Sequence, residues 1–281
     1  MPDPFSVRLA AAVAQTGAPL CVGLDPDPAR MPAPFASGVS EQAGATGAAA
    51  FCQRIVEATA EHAAAFKPNL AFFEAYGPDG WDALDTVCGA VRASGRLLVL
   101  DGKRGDIGNT GRRYASALYD ALGGDACTVA PYMGSDSIAP FLEHEGRCAF
   151  VLVATSNPGG ADLQALAARG PRGEARSLWR HAADVAARAG EGLPGEVGFV
   201  AGATRPALLA ELREAFPAAP LLVPGVGAQG GSAADVLAAN AGGPLLVNSS
   251  RGILYASGGA DFEGAAREAG ARLAETLAAR A

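Results

Sequence analysis

Short apolar runs alternate with helix-like segments along the whole of this 281-residue chain. The runs are rich in Val, Leu, Ala and Phe, as expected for strands that are covered on both faces of a parallel sheet. Eight such strands alternating with helices over about 250 residues are typical of a (β/α)8 barrel, the α/β architecture also called a TIM barrel. The predicted strands span residues 19–25, 64–70, 97–101, 126–130, 149–155, 197–202, 221–225 and 244–250. The predicted helices span residues 44–62, 80–95, 108–122, 135–144, 175–189, 206–215, 232–240 and 262–280.

An open, doubly wound sheet is the alternative for the same alternation. That fold usually has a glycine-rich dinucleotide turn after its first strand, and the sequence GLDPDPARMP at residues 23–32 contains no such turn. No linker or low-complexity segment divides the chain, so we predict a single barrel domain over residues 1–281. Two long segments, residues 26–43 and 157–174, follow the first and fifth strands, on the side where barrels carry their catalytic loops.

The charge and hydropathy of the chain exclude some classes of function. Its formal net charge of −7 argues against general nucleic-acid binding, because a phosphate backbone needs a basic surface. No run approaches the roughly 20 apolar residues of a membrane span, and the first residues lack the basic start of a secretory leader. We therefore expect a cytoplasmic protein that binds neither nucleic acid nor membranes.

Neither the cysteines nor the histidines suggest a metal or redox centre. The five cysteines stand singly in apolar runs without a C-x-x-C pair, which favours reduced packing residues. His62, His144 and His181 are far apart and lack the spacing of metal ligands. We predict that the protein binds no metal.

One buried run leads directly into a group of opposed charges. Residues 97–110 read LLVLDGKRGDIGNT, so that Asp101 and Lys103 follow the apolar part of a strand. Side chains two apart in an extended segment point to the same side, and Lys67, near the end of the preceding strand, is expected at the same mouth of the barrel. Alternating ammonium and carboxylate groups keep one another ionised, which suits a reaction in which a carboxylate leaves and a carbanion is protonated. A weak surface ion pair is the alternative.

The ends of the last two strands predict a phosphate site. Residues 224–232, PGVGAQGGS, are glycine-rich and lead into a helix, and residues 248–253, NSSRGI, add hydroxyl groups and the guanidinium of Arg251. Many barrels bind phosphate with the loops after strands seven and eight, through backbone N–H groups and a helix N-terminus. Asp25, which ends the first strand, could accept hydrogen bonds from sugar hydroxyls or simply form an Asp-Pro turn.

The segment DGKRGDIGNT resembles the D-x-K-x-x-D-I-x-x-T signature of the orotidine 5'-phosphate decarboxylase family. The segments FKPNLAFFE, TSNPGG, PGVGAQGG and NSSRGI are similar to those of the longer bacterial (type 2) branch, and they occur in family order over nearly the whole chain. D-x-K-x-x-D alone is shared with related sugar-phosphate barrels. The resemblance implies a carboxy-lyase that converts orotidine 5'-monophosphate to uridine 5'-monophosphate and CO₂, the last step of de novo pyrimidine synthesis, without metal or organic cofactor.

The resemblance also implies a role for each matching residue. Lys103 would stabilise the carbanion at C6 of the pyrimidine and protonate it, while Asp101 would crowd the substrate carboxylate. Lys67 and Asp106 would complete the charge network, Asp106 reaching across a homodimer interface into the partner's site. The implied binding residues are Asp25, Lys67 and Thr110 for the ribose hydroxyls, with Thr110 also crossing the interface, Ser156 for the pyrimidine, and Gln229, Ser250 and Arg251 for the phosphate.

Two other functions are compatible with parts of the pattern. A Mg²⁺-dependent sugar-phosphate decarboxylase or aldolase on the same barrel shares D-x-K-x-x-D but needs further carboxylate ligands, and FKPNL at residues 66–70 offers a lysine instead. A non-catalytic nucleotide-binding barrel would need the phosphate loops but not Lys103. Loss of activity in EDTA would favour the first alternative, and a Lys103→Ala protein with unaltered properties would favour the second.

Overall fold

The computed structural model describes residues 2–35, 44–170, 173–227 and 230–278. The strands within these ranges are β1 (Leu20–Leu24), β2 (Ala65–Pro68), β3 (Leu97–Arg104), β4 (Ala126–Val129), β5 (Cys148–Ala154), β6 (Ala167–Arg169), β7 (Ala175–Ser177), β8 (Glu196–Ala201), β9 (Leu221–Pro224) and β10 (Leu245–Ser249). The α-helices are α1 (Phe5–Thr16), α2 (Ala45–Thr59), α3 (Leu70–Glu74), α4 (Pro78–Ala93), α5 (Gly108–Ser116), α6 (Ala139–Leu142), α7 (Ala161–Gln164), α8 (Leu178–Ala189), α9 (Pro206–Ala215), α10 (Ala233–Asn240), α11 (Arg251–Leu254) and α12 (Phe262–Ala278). Of these helices, none is long and apolar enough to cross a membrane.

Eight of the strands close into a barrel in the order β1-β10-β9-β8-β5-β4-β3-β2. All neighbouring strands of the barrel run parallel. β5 pairs directly with β8 because β6 and β7 form a separate antiparallel hairpin in the connection between them. The predicted single-domain (β/α)8 barrel is confirmed, and each of the eight predicted strands corresponds to one barrel strand.

Two apolar layers stabilise the barrel. Inside it, the inward side chains of the strands pack in one cluster together with Phe5 and Leu9 of α1. Phe5 contacts Phe150 of β5 edge to face, with the ring centroids 5.7 Å apart. This helix, which is not among the eight predicted ones, therefore covers the amino-terminal end of the barrel. Outside, the helices cover the other faces of the strands.

Two predicted helices are shorter than expected. The segment 135–144 forms only the four-residue α6 after a 3₁₀ turn, since Pro140 lacks a backbone N–H and fits only the first turn of a helix. The helix predicted at 175–189 begins at Leu178, because the three residues before it pair with β6. The long connection after β5 thus contains α7 and a β-hairpin.

Candidate active site

Three charged side chains, which we call the Lys–Asp–Lys cluster, meet at the carboxyl ends of β2 and β3. Lys67 Nζ donates to Asp101 Oδ2 at 2.6 Å, and Lys103 Nζ donates to Asp101 Oδ1 at 2.7 Å. Lys67 and Asp101 are only 5% and 8% exposed, whereas the side chain of Lys103 is 52% exposed. Two ammonium groups therefore bracket one buried carboxylate, and one of them is accessible from outside the protein.

The cluster keeps Asp101 and Lys67 ionised. Burial alone would raise the pKa of Asp101, but the attraction of Lys67 and Lys103 outweighs it and holds this pKa well below its usual range. Burial would likewise lower the pKa of Lys67, but the carboxylates of Asp101 and Asp25 raise it above its usual range. At neutral pH, Asp101 is thus a carboxylate and Lys67 an ammonium.

A bulge in β3 shapes this part of the site. The register of β3 against β4 shifts between Leu100 and Arg104, so that residues 101–103 lie opposite Thr128 alone. Lys103 has a left-handed backbone conformation with φ of 47°, which residues other than glycine rarely adopt. Asp101 and Lys103 are in contact as the sequence predicts. However, the irregular backbone of the bulge brings them together, and not the alternation of side chains along a regular strand.

A cavity of about 170 Å³ lies beside the cluster. It brings together five of the predicted site residues from four strand ends. Within the described part of the chain, Oδ1 of Asp25 and Oδ1 of Asn248 are buried without a hydrogen-bond partner, which suits ligand hydroxyl groups as donors. The cavity is lined by Asp25, Lys67, Asn69, Asp101, Pro224, Gly225, Val226, Asn248, Ser249, Ser250 and Arg251.

Tyr255 fixes the loop that carries Asp25. Its hydroxyl donates to the backbone carbonyl of Asp25 at 2.6 Å and accepts from the backbone N–H of Asp27 at 2.7 Å. The guanidinium of Arg30 lies over the Tyr255 ring, 4.5 Å from its centroid. Because Tyr255 directly follows α11, which begins at Arg251, the loop after β1 is tied to the loop after β10.

The described part of the loop after β9 depends on glycine for its backbone conformation. Three of its glycines have positive φ, namely 101° at Gly225, 74° at Gly227 and 84° at Gly230. The loop leads into α10, where the Ser232 side chain accepts a hydrogen bond from the N–H of Asp235. Gln229, which we predict as a phosphate ligand, lies outside the described residues.

Four other predicted residues lie outside the lining of the cavity. Lys103 is one of them, and it is joined to the lining through its ion pair with Asp101. Asp106 is partly exposed and accepts a hydrogen bond from the N–H of Ile107 at 2.8 Å; among the described residues it forms no ion pair with either lysine. Thr110 is exposed in the first turn of α5. Ser156 follows β5 and packs against Gly202, where a Cβ atom would come within 2.8 Å of it.

Several polar residues of the site were not in the predicted set. Thr128 donates its hydroxyl to Asp101 Oδ1 and accepts the N–H of Lys103, both at 2.9 Å. Thr128 is the one polar residue of the predicted strand 126–130, ACTVA, and a polar residue inside an apolar strand is the feature of the sequence that could have identified it. Asn69 and Asn248 also line the cavity. Asn248 stands at the end of a predicted strand, in NSSRGI, whereas no spacing rule distinguishes Asn69 from an ordinary turn residue.

The distribution of lysine is a further signal in the sequence. Of the 22 lysines and arginines, only Lys67 and Lys103 are lysines, and both belong to the Lys–Asp–Lys cluster. A guanidinium is planar and does not give up its proton in proteins, whereas an ammonium is a compact charge that can. In a chain that uses arginine everywhere else, the two lysines indicate positions that need an ammonium.

Comparison with known proteins decides between the families that share this barrel. The family model described as "Orotidine 5'-phosphate decarboxylase / HUMPS family" matches residues 18–268. The chain belongs to the orotidine 5'-phosphate decarboxylase family. Orotidine 5'-phosphate decarboxylase of Roseiflexus castenholzii is 47% identical over 261 residues, which cover 92% of this chain and 91% of that protein. The Delftia acidovorans protein of the same name is 45% identical over 97% of both chains.

Solved structures of the orotidine 5'-phosphate decarboxylase family agree with the observed fold. The structure of Leishmania donovani OMP decarboxylase has a TM-score of 0.80 and 38% sequence identity, and the match covers 99% of this chain and 100% of that one. The resemblance noted in DGKRGDIGNT is thereby confirmed. Within the described ranges, no three His, Cys, Asp or Glu side chains are grouped as metal ligands would be.

Proposed function

We propose that this protein decarboxylates orotidine 5'-monophosphate to uridine 5'-monophosphate and CO₂ in pyrimidine synthesis, without metal or organic cofactor. One observation carries the proposal. The Lys–Asp–Lys cluster adjoins a cavity that is also lined by Ser250, Arg251 and the start of the glycine-rich loop. A nucleotide bound here would have the guanidinium of Arg251, which lines the cavity, for its phosphate. The ammonium of Lys103, paired with the lining residue Asp101, would serve the ring carbon that becomes negative.

The parts of the substrate that do not react provide the binding energy. Arg251 pairs with phosphate oxygens, helped by the backbone of the loop after β9. The buried free oxygen of Asp25 accepts a ribose hydroxyl, and Lys67 lies beside it. Binding energy from such remote groups can be used to stabilise the transition state at the reacting carbon. The other proposed ligands are Thr110 for the ribose, Ser156 for the pyrimidine, and Gln229 and Ser250 for the phosphate.

The chemistry follows from the fixed charges of the cluster. Asp101 is held as a carboxylate, so a substrate carboxylate beside it is repelled until the bond to C6 breaks and CO₂ leaves. The electron pair of that bond remains on C6, where the ammonium of Lys103 stabilises it. Lys103 then transfers a proton to C6, and the resulting neutral amine regains a proton from water.

The proposal is tested by adding orotidine 5'-monophosphate to the purified protein and following the fall in ultraviolet absorbance. We expect turnover that is unchanged after treatment with EDTA. Loss of activity in EDTA and its return with Mg²⁺ would instead support a metal-dependent reaction on the same barrel. Folded protein without any turnover would exclude the proposed activity.

Replacing Arg251 by alanine should act mainly on binding. We expect Arg251→Ala to raise KM by about 10- to 100-fold, since a hydrogen bond to a charged group contributes roughly 1.5–3 kcal/mol. The change in kcat should be smaller, as the guanidinium is proposed to contact only the phosphate. Steady-state kinetics of Arg251→Ala and of Arg272→Ala, an exposed arginine on α12, provide the measurement and its matched control. Equal KM values in these two variants would contradict the assignment.

We also propose that the protein is a homodimer in which Asp106 and Thr110 complete the partner's site. Near these residues, Ile107, Tyr132 and Met133 are exposed by 51%, 85% and 53%, although each is large and apolar. Contiguous exposed apolar side chains are typical of interaction surfaces. The loops that carry them are adjacent, because the N–H of Ala130 donates to the carbonyl of Arg104 at 2.8 Å.

Mixing two inactive variants tests whether Asp106 acts across the interface. In a heterodimer of Lys103→Ala and Asp106→Ala, one site would carry both substitutions and the other would carry neither. After unfolding and refolding an equimolar mixture, we expect about a quarter of wild-type activity, because half of the dimers are mixed and each has one intact site. If Asp106 serves its own chain, every site is defective and no activity returns.

We infer a cytoplasmic location from the state of the thiols. All five cysteines, Cys21, Cys52, Cys88, Cys127 and Cys148, are buried and unpaired. Disulfides form mainly in oxidising compartments, whereas unpaired thiols are usual in the reducing cytosol. Fractionation of the native cells with an antibody against the protein tests this location.

A further inference from the structure

A single hydroxyl group, that of Thr128, contacts two residues of the β3 bulge. The N–H of Lys103 donates to Oγ1 of Thr128, at 2.9 Å. The same oxygen donates its proton to Asp101 Oδ1 at 2.9 Å. Thr128 is only 2% exposed and is not part of the cavity lining. Its hydroxyl therefore lies behind the Lys–Asp–Lys cluster and has no direct access to a ligand in the cavity.

This hydroxyl closes a ring of hydrogen bonds around Lys103. Thr128 Oγ1 can donate to Asp101 in the observed direction while its lone pair accepts the Lys103 N–H. Asp101 Oδ1 then accepts from Lys103 Nζ at 2.7 Å, so the ring returns to the residue where it began. The backbone and the ammonium group of Lys103 are thus fixed relative to the same carboxylate oxygen.

The conformation of Lys103 needs such support. Its φ of 47° is sterically unfavourable for a residue with a Cβ atom, and such strain persists only where the surroundings impose it. The side chain is half-exposed and has four rotatable bonds that set the position of its ammonium nitrogen, so burial alone does not hold it. Among the described residues, Asp101 holds its ammonium group by a hydrogen bond, and Thr128 holds the backbone N–H of Lys103.

We propose that Thr128 is a positioning residue for Lys103. Its hydroxyl holds the ammonium in the direction from which it meets C6 of the pyrimidine. The inference rests on the proposed function, because it assigns to Thr128 the placement of the group that transfers the proton. Thr128 acts through Lys103 and does not itself touch the substrate.

Two matched pairs of side chains at position 128 separate the effect of the hydroxyl group on the rate from that of side-chain shape. Threonine and valine have nearly the same shape and differ in the hydroxyl, as do serine and alanine. We expect Thr128→Val and Thr128→Ala to lower kcat by about 10- to 100-fold, as small misplacements of a reacting group do. KM should change little, and Thr128→Ser should keep most of the wild-type kcat. Steady-state kinetics with orotidine 5'-monophosphate measure these effects.

A second measurement follows proton transfer without cleavage of the carbon–carbon bond. The reverse of the last step removes the C6 proton of uridine 5'-monophosphate, and in D₂O a deuteron replaces it. We expect the rate of this exchange, followed by proton NMR, to fall in Thr128→Val by a factor similar to that in kcat. If Thr128 only stabilised the fold, its replacement would lower the melting temperature without equal losses in kcat and in the exchange rate.

The outcomes separate this inference from the proposed function. Absence of turnover by the wild-type protein would overturn the proposed function before any variant is compared. With an active wild type, an unchanged kcat in Thr128→Val would overturn the positioning role. Equal losses of kcat in Thr128→Ser and Thr128→Ala would also overturn the positioning role, because they would indicate that the methyl group matters through packing. A normal exchange rate in Thr128→Val with slowed decarboxylation would overturn it as well.

Discussion

Replacing Lys103 by alanine is expected to lower kcat by at least about 10⁴-fold, since the ammonium both stabilises developing charge and transfers a proton. Substrate affinity should fall far less, because the phosphate and ribose contacts remain. The loss should appear in kcat for orotidine 5'-monophosphate, with binding of uridine 5'-monophosphate measured by calorimetry. Wild-type kcat in a folded Lys103→Ala protein would contradict the proposed mechanism.

Lys103→Arg provides the matched control for charge. Arginine keeps a positive charge beside Asp101, but its guanidinium stays protonated at any working pH. If proton transfer from residue 103 is essential, this variant should be nearly as inactive as Lys103→Ala. An arginine variant that retains more than about a tenth of wild-type kcat would show that charge alone suffices, because a positioned proton donor contributes roughly 10²- to 10⁴-fold.

The largest effect on stability is expected from Asp101→Asn. This change removes the ion-pair partner of the buried Lys67 ammonium and leaves only the weaker attraction of the Asp25 carboxylate, and breaking one partner of a buried ion pair typically costs about 3–5 kcal/mol. Urea unfolding measures the loss, with Asp162→Asn on the exposed surface of α7 as a control expected to stay within about 0.5 kcal/mol. Adding Lys67→Met to Asp101→Asn should restore part of the stability. A double variant that is less stable than Asp101→Asn would contradict this explanation.

The difference in unfolding free energy between the wild type and Asp101→Asn should depend on pH. The pKa of Asp101 is lower in the folded protein than in the unfolded chain, so its contribution to stability is present at neutral pH. That contribution disappears as the pH falls below the unfolded value of about 3.9 towards the folded pKa. The difference in unfolding free energy between wild type and Asp101→Asn should therefore be constant above about pH 5 and shrink below about pH 4. A difference that grows in acid would show that the carboxylate is not stabilised by its neighbours.

The fold could be predicted because it depends on a repeated pattern. Each barrel strand is covered on both faces and therefore contains a continuous apolar run, and in β1, β2, β3 and β10 this run ends where the polar residues of the site begin. Asp101 and Lys67 follow directly from that rule. The connection after β5 could not be predicted in the same way, because its hairpin has few buried residues and no apolar pattern.

The missed parts of the site depend on backbone geometry that no spacing rule encodes. The bulge at Lys103 appears only when β3 is paired with β4, and only then does Thr128 lie opposite three residues. Tyr255 is far from Asp25 in the sequence, and the loops after β1 and β10 meet because the barrel closes between these two strands. The trans role of Asp106 depends on a second chain and stays a prediction.

The scarcity of lysine has a practical consequence for covalent chemistry. A reagent that acylates primary amines can react, apart from the terminal amine, only with Lys67 and Lys103. Lys67 is 5% exposed, so Lys103 is the accessible target. Amine-directed dyes and cross-linkers, which react with many surface lysines of most proteins, would here react with a side chain at the mouth of the barrel. Bound nucleotide should therefore protect the protein from these reagents.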